Sequence, residues 1–330
     1  MINICIFEDD VYQELHPLTV LRPAYDLLLG ISTILEKIRF YFDYANLTIH
    51  CRDYLTPLVK HKHRDLSVNR INTGSPCLFL NGRVIMDQPL FDTLTNHTNS
   101  HDLLFTYKGQ VIALYLRSAQ MEAMKNLLTD IPSNEDIIRT FRSNCVTKEL
   151  DQVKIVSKLW DLLTLNESVL RDDFVKFNQP GIIKGDLQPL TSIYNENNVF
   201  IDKNTVIEDF VVLNATKGPI FIENGVHIEA HSRLEGPLFI GKHTRINGAR
   251  ISASSIGPHC KVGGEFKNSI MLGYTNKGHD GFIGHSYIGE WVNMGAMTTN
   301  SNLKNNYQPV RIEIGEKKTS PQQQFFGSIV

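Results

Sequence analysis

At 330 residues and 37.5 kDa the chain is long enough for two domains with cores of their own. A net charge of −2, from 33 Lys and Arg against 35 Asp and Glu, with no basic stripe, argues against nucleic acid or an anionic membrane as partner. The cysteines (Cys5, Cys51, Cys77, Cys145, Cys260) are scattered and never spaced C-x-x-C, which argues against a disulfide framework or zinc knuckle and suits a reducing compartment. MINICIFEDD lacks a signal-peptide pattern and no apolar run has the length of a membrane span, so the expected location is cytoplasmic.

The first part of the chain reads as mixed α/β. Ile2 to Phe7 is an apolar run suited to a buried first strand. After a loop with Pro17 and Pro23, Asp26 to Phe42 carries Leu27, Ile31, Ile34, Leu35 and Ile38 at helical spacing, with Gly30 marking a turn before the main part. Asn46 to Cys51, Pro76 to Leu80 and Val111 to Leu116 are further strands, the second leading into the Asn81-Gly82 turn. Strands separated by helical segments indicate an α/β sheet over residues 1–150. Val153, Val156, Leu159, Trp160 and Leu163 then recur at intervals of three and four, which predicts a connecting helix within 151–180.

From about residue 199 the period becomes six. Ile201, Ile207 and Leu213 form one register, and Gly218-Pro219 resets it. Ile222, Ile228, Leu234, Ile240 and Ile246 follow in strict steps, and Ile256, Val262, Ile283, Ile288 and Met294 continue the pattern, each trailed by glycine. A sixfold return of one aliphatic residue predicts a parallel β-helix over 181–330, in which each short strand turns one side chain inward and coils bury their edges on one another. A β-sandwich would instead alternate with period two within its strands.

The repeats, together with CKVGGEFKNSIMLGYTNKGHDGFIGHSYIGEWVNMG and SNLKNNY, resemble the bifunctional N-acetylglucosamine-1-phosphate uridyltransferase / glucosamine-1-phosphate acetyltransferase family, most closely its sugar nucleotidyltransferase branch. The likeness is strong over residues 180–310 and weak over 1–150. It implies a nucleotidyltransferase-like (Rossmann-like) α/β domain, a connecting helix, a left-handed β-helix of hexapeptide repeats, and a homotrimer. Relatives continue through further coils that carry much of the acetyl-CoA site, so the resemblance also implies a β-helix cut short at Val330.

In the C-terminal part the resemblance implies His279, within GHDGFIG, as the base of an acyl transfer from acetyl-CoA to an amino sugar. An imidazole suits that role because its pKa lies near neutrality. Lys267, Asn293 and Asn302 match substrate-holding positions, and Phe282 stands where the family has a tyrosine. Read alone, these are a solvated His and Lys and solenoid turn residues.

In the N-terminal part EDDVYQELHPLTVLRP (Glu8 to Pro23) replaces the glycine-rich loop that normally cradles a triphosphate. Arg22 is the first candidate for a phosphate-binding cation and Lys37 the second. FLNGRVI places Asn81, Gly82 and Arg83 where the family has a strand ending in Tyr-Gly-Asp, and Asp87 is the remaining candidate for Mg²⁺. Three functions stay open: NTP plus sugar-1-phosphate giving NDP-sugar and pyrophosphate with Mg²⁺; acyl transfer at His279; and a trimeric sugar-phosphate-binding scaffold.

Overall fold

The computed structural model describes residues 3–96, 101–177, 180–314, 317–320 and 322–330. They fall into two compact units, Met1–Leu27 with Thr33–Lys158, and Leu28–Ser32 with Leu159–Val330. Among the described residues no helix is long and apolar enough to cross a membrane.

The first unit is a seven-stranded sheet with helices. In chain order it runs β1 (Asn3–Phe7), α1 (Ile34–Tyr41), β2 (Asn46–Ile49), α2 (Thr56–Lys62), β3 (Ser67–Val68), β4 (Cys77–Asn81), α3 (Gln88–Thr95), β5 (Leu103–Tyr107), β6 (Gln110–Leu116), α4 (Ser118–Leu127), α5 (Asn134–Phe141) and β7 (Val146–Glu149). The spatial order is β3-β2-β1-β4-β6-β5-β7. β1 pairs in parallel with both β2 and β4, whereas β6 runs antiparallel to β4 and β5. Ile4, Cys5, Ile6 and Phe7 are all buried, as a central strand covered on both faces requires. Successive strands move outward on one side of β1 and then resume on the other, so the strand order reverses at β1. Ligands of open α/β sheets bind outside the carboxyl ends of strands at such a reversal.

Two expected helices are shorter than their periodicity suggested. The one read over Asp26–Phe42 begins at Ile34, because Thr33 accepts from the Glu36 amide and the Glu36 carboxylate accepts from the Thr33 amide, closing a capping box. The amides of Gly30 and Ile31 are instead captured by Asn166 and Asp173 of the second unit, and Gly30 takes φ +70°. The helix read from Val153 begins only at Leu159. Before it, Ile155 bridges Val84 in antiparallel sense, Ile85 donates to the Lys154 carbonyl and Val156 to that of Arg83.

The second unit is a parallel β-helix behind α6 (Leu159–Phe177), whose Leu162, Asn166, Val169 and Asp173 form a buried stripe. Strands stack coil upon coil: Val206, His227, Arg245, Lys261 and Asn276 on one face, Val212, Arg233, Arg250, Glu265 and Phe282 on the next, and Ile220, Leu238 and Ser254 on the third. The third stack continues through Ser255, Ile270 and Tyr287. The sixfold register is the inward set, since Ile201, Ile207, Leu213, Ile222, Ile228, Leu234, Ile240, Ile246, Ile256, Val262, Ile283 and Ile288 lie together in one core. Ser328 to Val330 bonds alongside Tyr287 to Gly289 as a further coil strand. Corners are residues at positive φ, and at one of them His243, His259, Tyr274 and Trp291 stack ring on ring at 4.9–5.1 Å, the spacing of neighbouring strands.

Where coils approach most closely, side chains are excluded. A Cβ on Gly257 would lie 1.9 Å from the carbonyl oxygen of Leu272 in the next coil. Gly257→Ala is expected to force the coils apart and cost roughly 1–3 kcal/mol. Urea unfolding followed by the fluorescence of Trp160 and Trp291, both in this unit, reads it directly; an unchanged midpoint refutes the close-packing argument.

Candidate functional site

β1 is followed directly by Glu8, Asp9 and Asp10, and β2 by His50, Cys51 and Arg52. Each of the first two carboxylates is claimed by one arginine. Arg52 donates through Nε to Glu8 Oε2 at 3.2 Å and through Nη2 to the carbonyls of Thr19 (2.6 Å) and Arg22 (2.7 Å). Its guanidinium lies 4.0 Å from the Tyr12 ring centroid and 5.3 Å from that of Tyr54, whose hydroxyl also receives an Arg52 N–H. Burial pushes the Glu8 carboxyl up, against the opposing pull of Arg52. These contacts fasten the loop from Glu8 to Arg22 where the sequence lacks a glycine turn.

Asp9 takes Arg83 in a bidentate pair, Nε to Oδ1 at 2.7 Å and Nη2 to Oδ2 at 2.6 Å, with both side chains at most 1% exposed. Asn81 and Asn134 also donate to Asp9. Arg83 Nη1 is spent on the Val156 carbonyl, Gln110 and Ser157. Gly82 donates its amide to the Phe7 carbonyl, and a Cβ there would meet the Tyr25 ring at 2.9 Å. Asn81, Gly82 and Arg83 therefore come together in a buried network that ties β1, β4 and the 156–157 segment. Lys37 is also buried, at 2% exposure, and Arg22 is half-buried. Asp87 caps α3 by accepting from the Leu90 amide and lies 3.5 Å from Lys154.

Beside this network opens a cavity of about 560 Å³, a size typical of ligand pockets. Tyr12, Arg52 and Tyr54 form its aromatic and cationic side, and Asp10, Asp53 and Asp130 bring carboxylates. Burial first, and then Asp9, raise the Asp10 carboxyl. His50 also lines it. Its Nε2 lies 2.9 Å from the Leu128 carbonyl, so it carries the proton and leaves Nδ1 a buried acceptor with no partner among the described residues. The charge pairs and this cavity escaped the sequence reading. The available signal was position: Glu8-Asp9-Asp10 directly follows the predicted strand Ile2 to Phe7, and His50-Cys51-Arg52 straddles the end of the one predicted over Asn46 to Cys51.

Magnesium needs oxygen donors and is commonly held by one or two carboxylates plus substrate phosphates. Among the described residues no three His, Cys, Asp or Glu side chains form a ready cage, and Asp9 and Asp87 are engaged elsewhere. Asp10, Asp53 and Asp130 supply the right donor chemistry.

In the second unit the residues expected to bind an amino sugar divide. Lys267 pairs with Gly284 across adjacent coils, and a Cβ on Gly284 would lie 2.4 Å from the Phe282 ring and 2.7 Å from the Asn302 amide. The bare glycine thus lets Lys267, Phe282 and Asn302 gather on one face. Asn293 sits on another, where its Oδ1 accepts from Asn276 at 2.8 Å. His279 is exposed on the corner loop before Phe282. Beneath that loop Lys277, 2% exposed, donates to the carbonyls of Gly263 and His279, and its burial lowers the ammonium pKa.

A mainly parallel sheet whose order reverses beside a cavity at its carboxyl ends is the arrangement in which open α/β units bind their ligands. Residues 4–179, just over half of the chain, match the family described as sugar nucleotidyl transferase, and the chain belongs to that family. It is also similar to the bifunctional protein GlmU of Methanococcus aeolicus, 30% identical over 183 residues that make up 53% of this chain and 36% of that protein. The bifunctional protein GlmU of Gloeobacter violaceus is 32% identical over 114 residues, 34% of this chain and 23% of that protein. The matched stretch thus spans about a third of the first relative's length and a quarter of the second's.

Proposed function

We propose that the first unit transfers a nucleotidyl group from an NTP to a sugar-1-phosphate. A phosphate oxygen of the sugar phosphate forms a bond to the α-phosphorus, the bond from the α-phosphorus to the bridging oxygen breaks, and pyrophosphate leaves with the electron pair. The observation that carries this reading is the 560 Å³ cavity outside the carboxyl ends of β1 and β2, in a chain of the sugar nucleotidyl transferase family. Tyr12 and Tyr54 offer rings for a nucleobase, and Arg22 is the basic group on the adjoining loop that meets phosphate. Arg52 and Arg83, committed to Glu8 and Asp9, shape the site without giving charge to the substrate. Magnesium, held by Asp10, Asp53 or Asp130 together with the phosphates, supplies charge neutralisation. Pyrophosphate release is therefore expected with an NTP, a sugar-1-phosphate and Mg²⁺, and is expected to fall at least about tenfold in Asp10→Asn and Asp130→Asn. Release at undiminished rates in both variants sinks the assignment.

A second reading places acyl transfer on the β-helix, with His279 as base and acetyl-CoA as donor. It is favoured by the exposed imidazole on a backbone loop braced by Lys277. Thiol release from acetyl-CoA with an amino-sugar phosphate, abolished by His279→Ala, supports it. Silence in both assays, with a trimer by analytical ultracentrifugation, leaves the binding scaffold.

A further inference from the structure

The second unit contains a cavity of about 330 Å³ that neither reading uses. One wall is α6, with Leu163, Thr164 and Glu167. Opposite it stand Ala253, Asn268 and His285, the corner residues of three successive coils at φ +47°, +46° and +49°. The segment Gln323 to Phe325 closes over them, fixed to α6 by a Gln323–Thr164 hydrogen bond of 2.6 Å.

His285 Nδ1 lies 2.8 Å from the Asn302 amide nitrogen, which donates to it, so the remaining proton sits on Nε2. Burial, and secondarily Lys267, hold this imidazole below its ordinary pKa, so it stays neutral near neutrality. Its ring lies against Phe325 with centroids 5.1 Å apart and planes 17° from parallel, and Phe325 remains 39% exposed. Asn268 and Gln324 add amides that both donate and accept. Among the described residues no lysine or arginine lines the cavity, and the carboxylate there, Glu167, is already paired with Arg171 at 2.9 Å.

Among the described residues a phosphate would find no lysine or arginine on these walls. A pyranose suits Asn268, Gln324 and Phe325 together, because its rim of hydroxyls donates and accepts while its C–H face rests on an aromatic ring. The volume lies at the lower end of the range for small ligands. We propose that this corner cavity binds an uncharged sugar ring.

Saturation-transfer difference NMR on the full chain tests this with methyl β-glucoside, N-acetylglucosamine and glucose-1-phosphate, and with UDP-N-acetylglucosamine to separate a free sugar from the sugar end of a nucleotide. Transfer is expected to at least one neutral sugar, strongest on the protons of one ring face, with affinity reduced about tenfold in Phe325→Ala. Gln324→Ala, at an exposed position, is expected to weaken binding as well without disturbing the fold, checked by the same tryptophan-monitored melt. No transfer from any neutral sugar overturns the proposal. So does transfer indifferent to both variants, or glucose-1-phosphate outcompeting the glucoside. The pyrophosphate assay is independent of these outcomes, because the cavity lies wholly within the second unit.

Discussion

Arg83→Met is expected to cost the first unit about 3–5 kcal/mol, because it strips the partner from a carboxylate that has been taken out of water. Asp9 is fully buried, and its remaining donors, Asn81 and Asn134, are neutral amides. The loss reaches further than the ion pair, since the same guanidinium holds the Val156 carbonyl and Ser157. Amide hydrogen exchange in β1 and β4 measures the effect as a fall in opening free energy. The double variant Asp9→Asn, Arg83→Met should recover more than half of it, because no charge is then left buried alone. A loss under about 1 kcal/mol in Arg83→Met would put this pair with exposed ion pairs and free Arg83 for a phosphate role. Arg83→Lys is not a conservative control, because an ammonium cannot reproduce the two parallel bonds to Asp9.

This pair also shows why the fold was easier to read than the site. Ile222, Ile228, Leu234, Ile240 and Ile246 announce a solenoid because each coil strand has one inward position, so a single local rule repeats along the chain. The α/β half was legible for a similar reason, as apolar runs such as Ile4 to Phe7 must be covered on both faces. The charge pairs obey no local rule. Arg83 lies 74 residues from Asp9, and Arg52 lies 44 from Glu8; the order of strands around β1 brings them together. Aligned with a triphosphate-binding pattern, Arg83 reads as a candidate phosphate contact, yet the structure spends its N–H groups on protein acceptors. Periodicity also overran the start of α6, because Val153 and Val156 satisfy helical spacing while the backbone there pairs beside Val84. In the solenoid, the motif resemblance named Lys267, Phe282 and Asn302 but gave no hint that the small size of Gly284 is what lets them meet.

Acid sensitivity of the first unit follows from His50. Burial lowers its pKa from 6.5 to about 4, outweighing the pull of the Leu128 carbonyl and of Asp53. A proton added to Nδ1 would enter a buried position with no acceptor among the described residues. Between those two pKa values the unfolded chain binds a proton that the folded one refuses, so stability rises with pH across the window. The contribution is fully present above the unfolded value of 6.5 and is lost as pH falls toward about 4. A shift of this size corresponds to about 3 kcal/mol between the two ends. His50→Gln removes the titrating group, and its amide can still donate to Leu128. Hydrogen exchange of the β2 amides, compared between wild type and variant across this pH range, isolates the effect from the other histidines. The wild type should lose about 3 kcal/mol more than the variant on acidification. Equal losses would mean that the imidazole takes up its proton in the folded state, and that the cavity beside Tyr12 and Arg52 admits an acceptor or water to Nδ1.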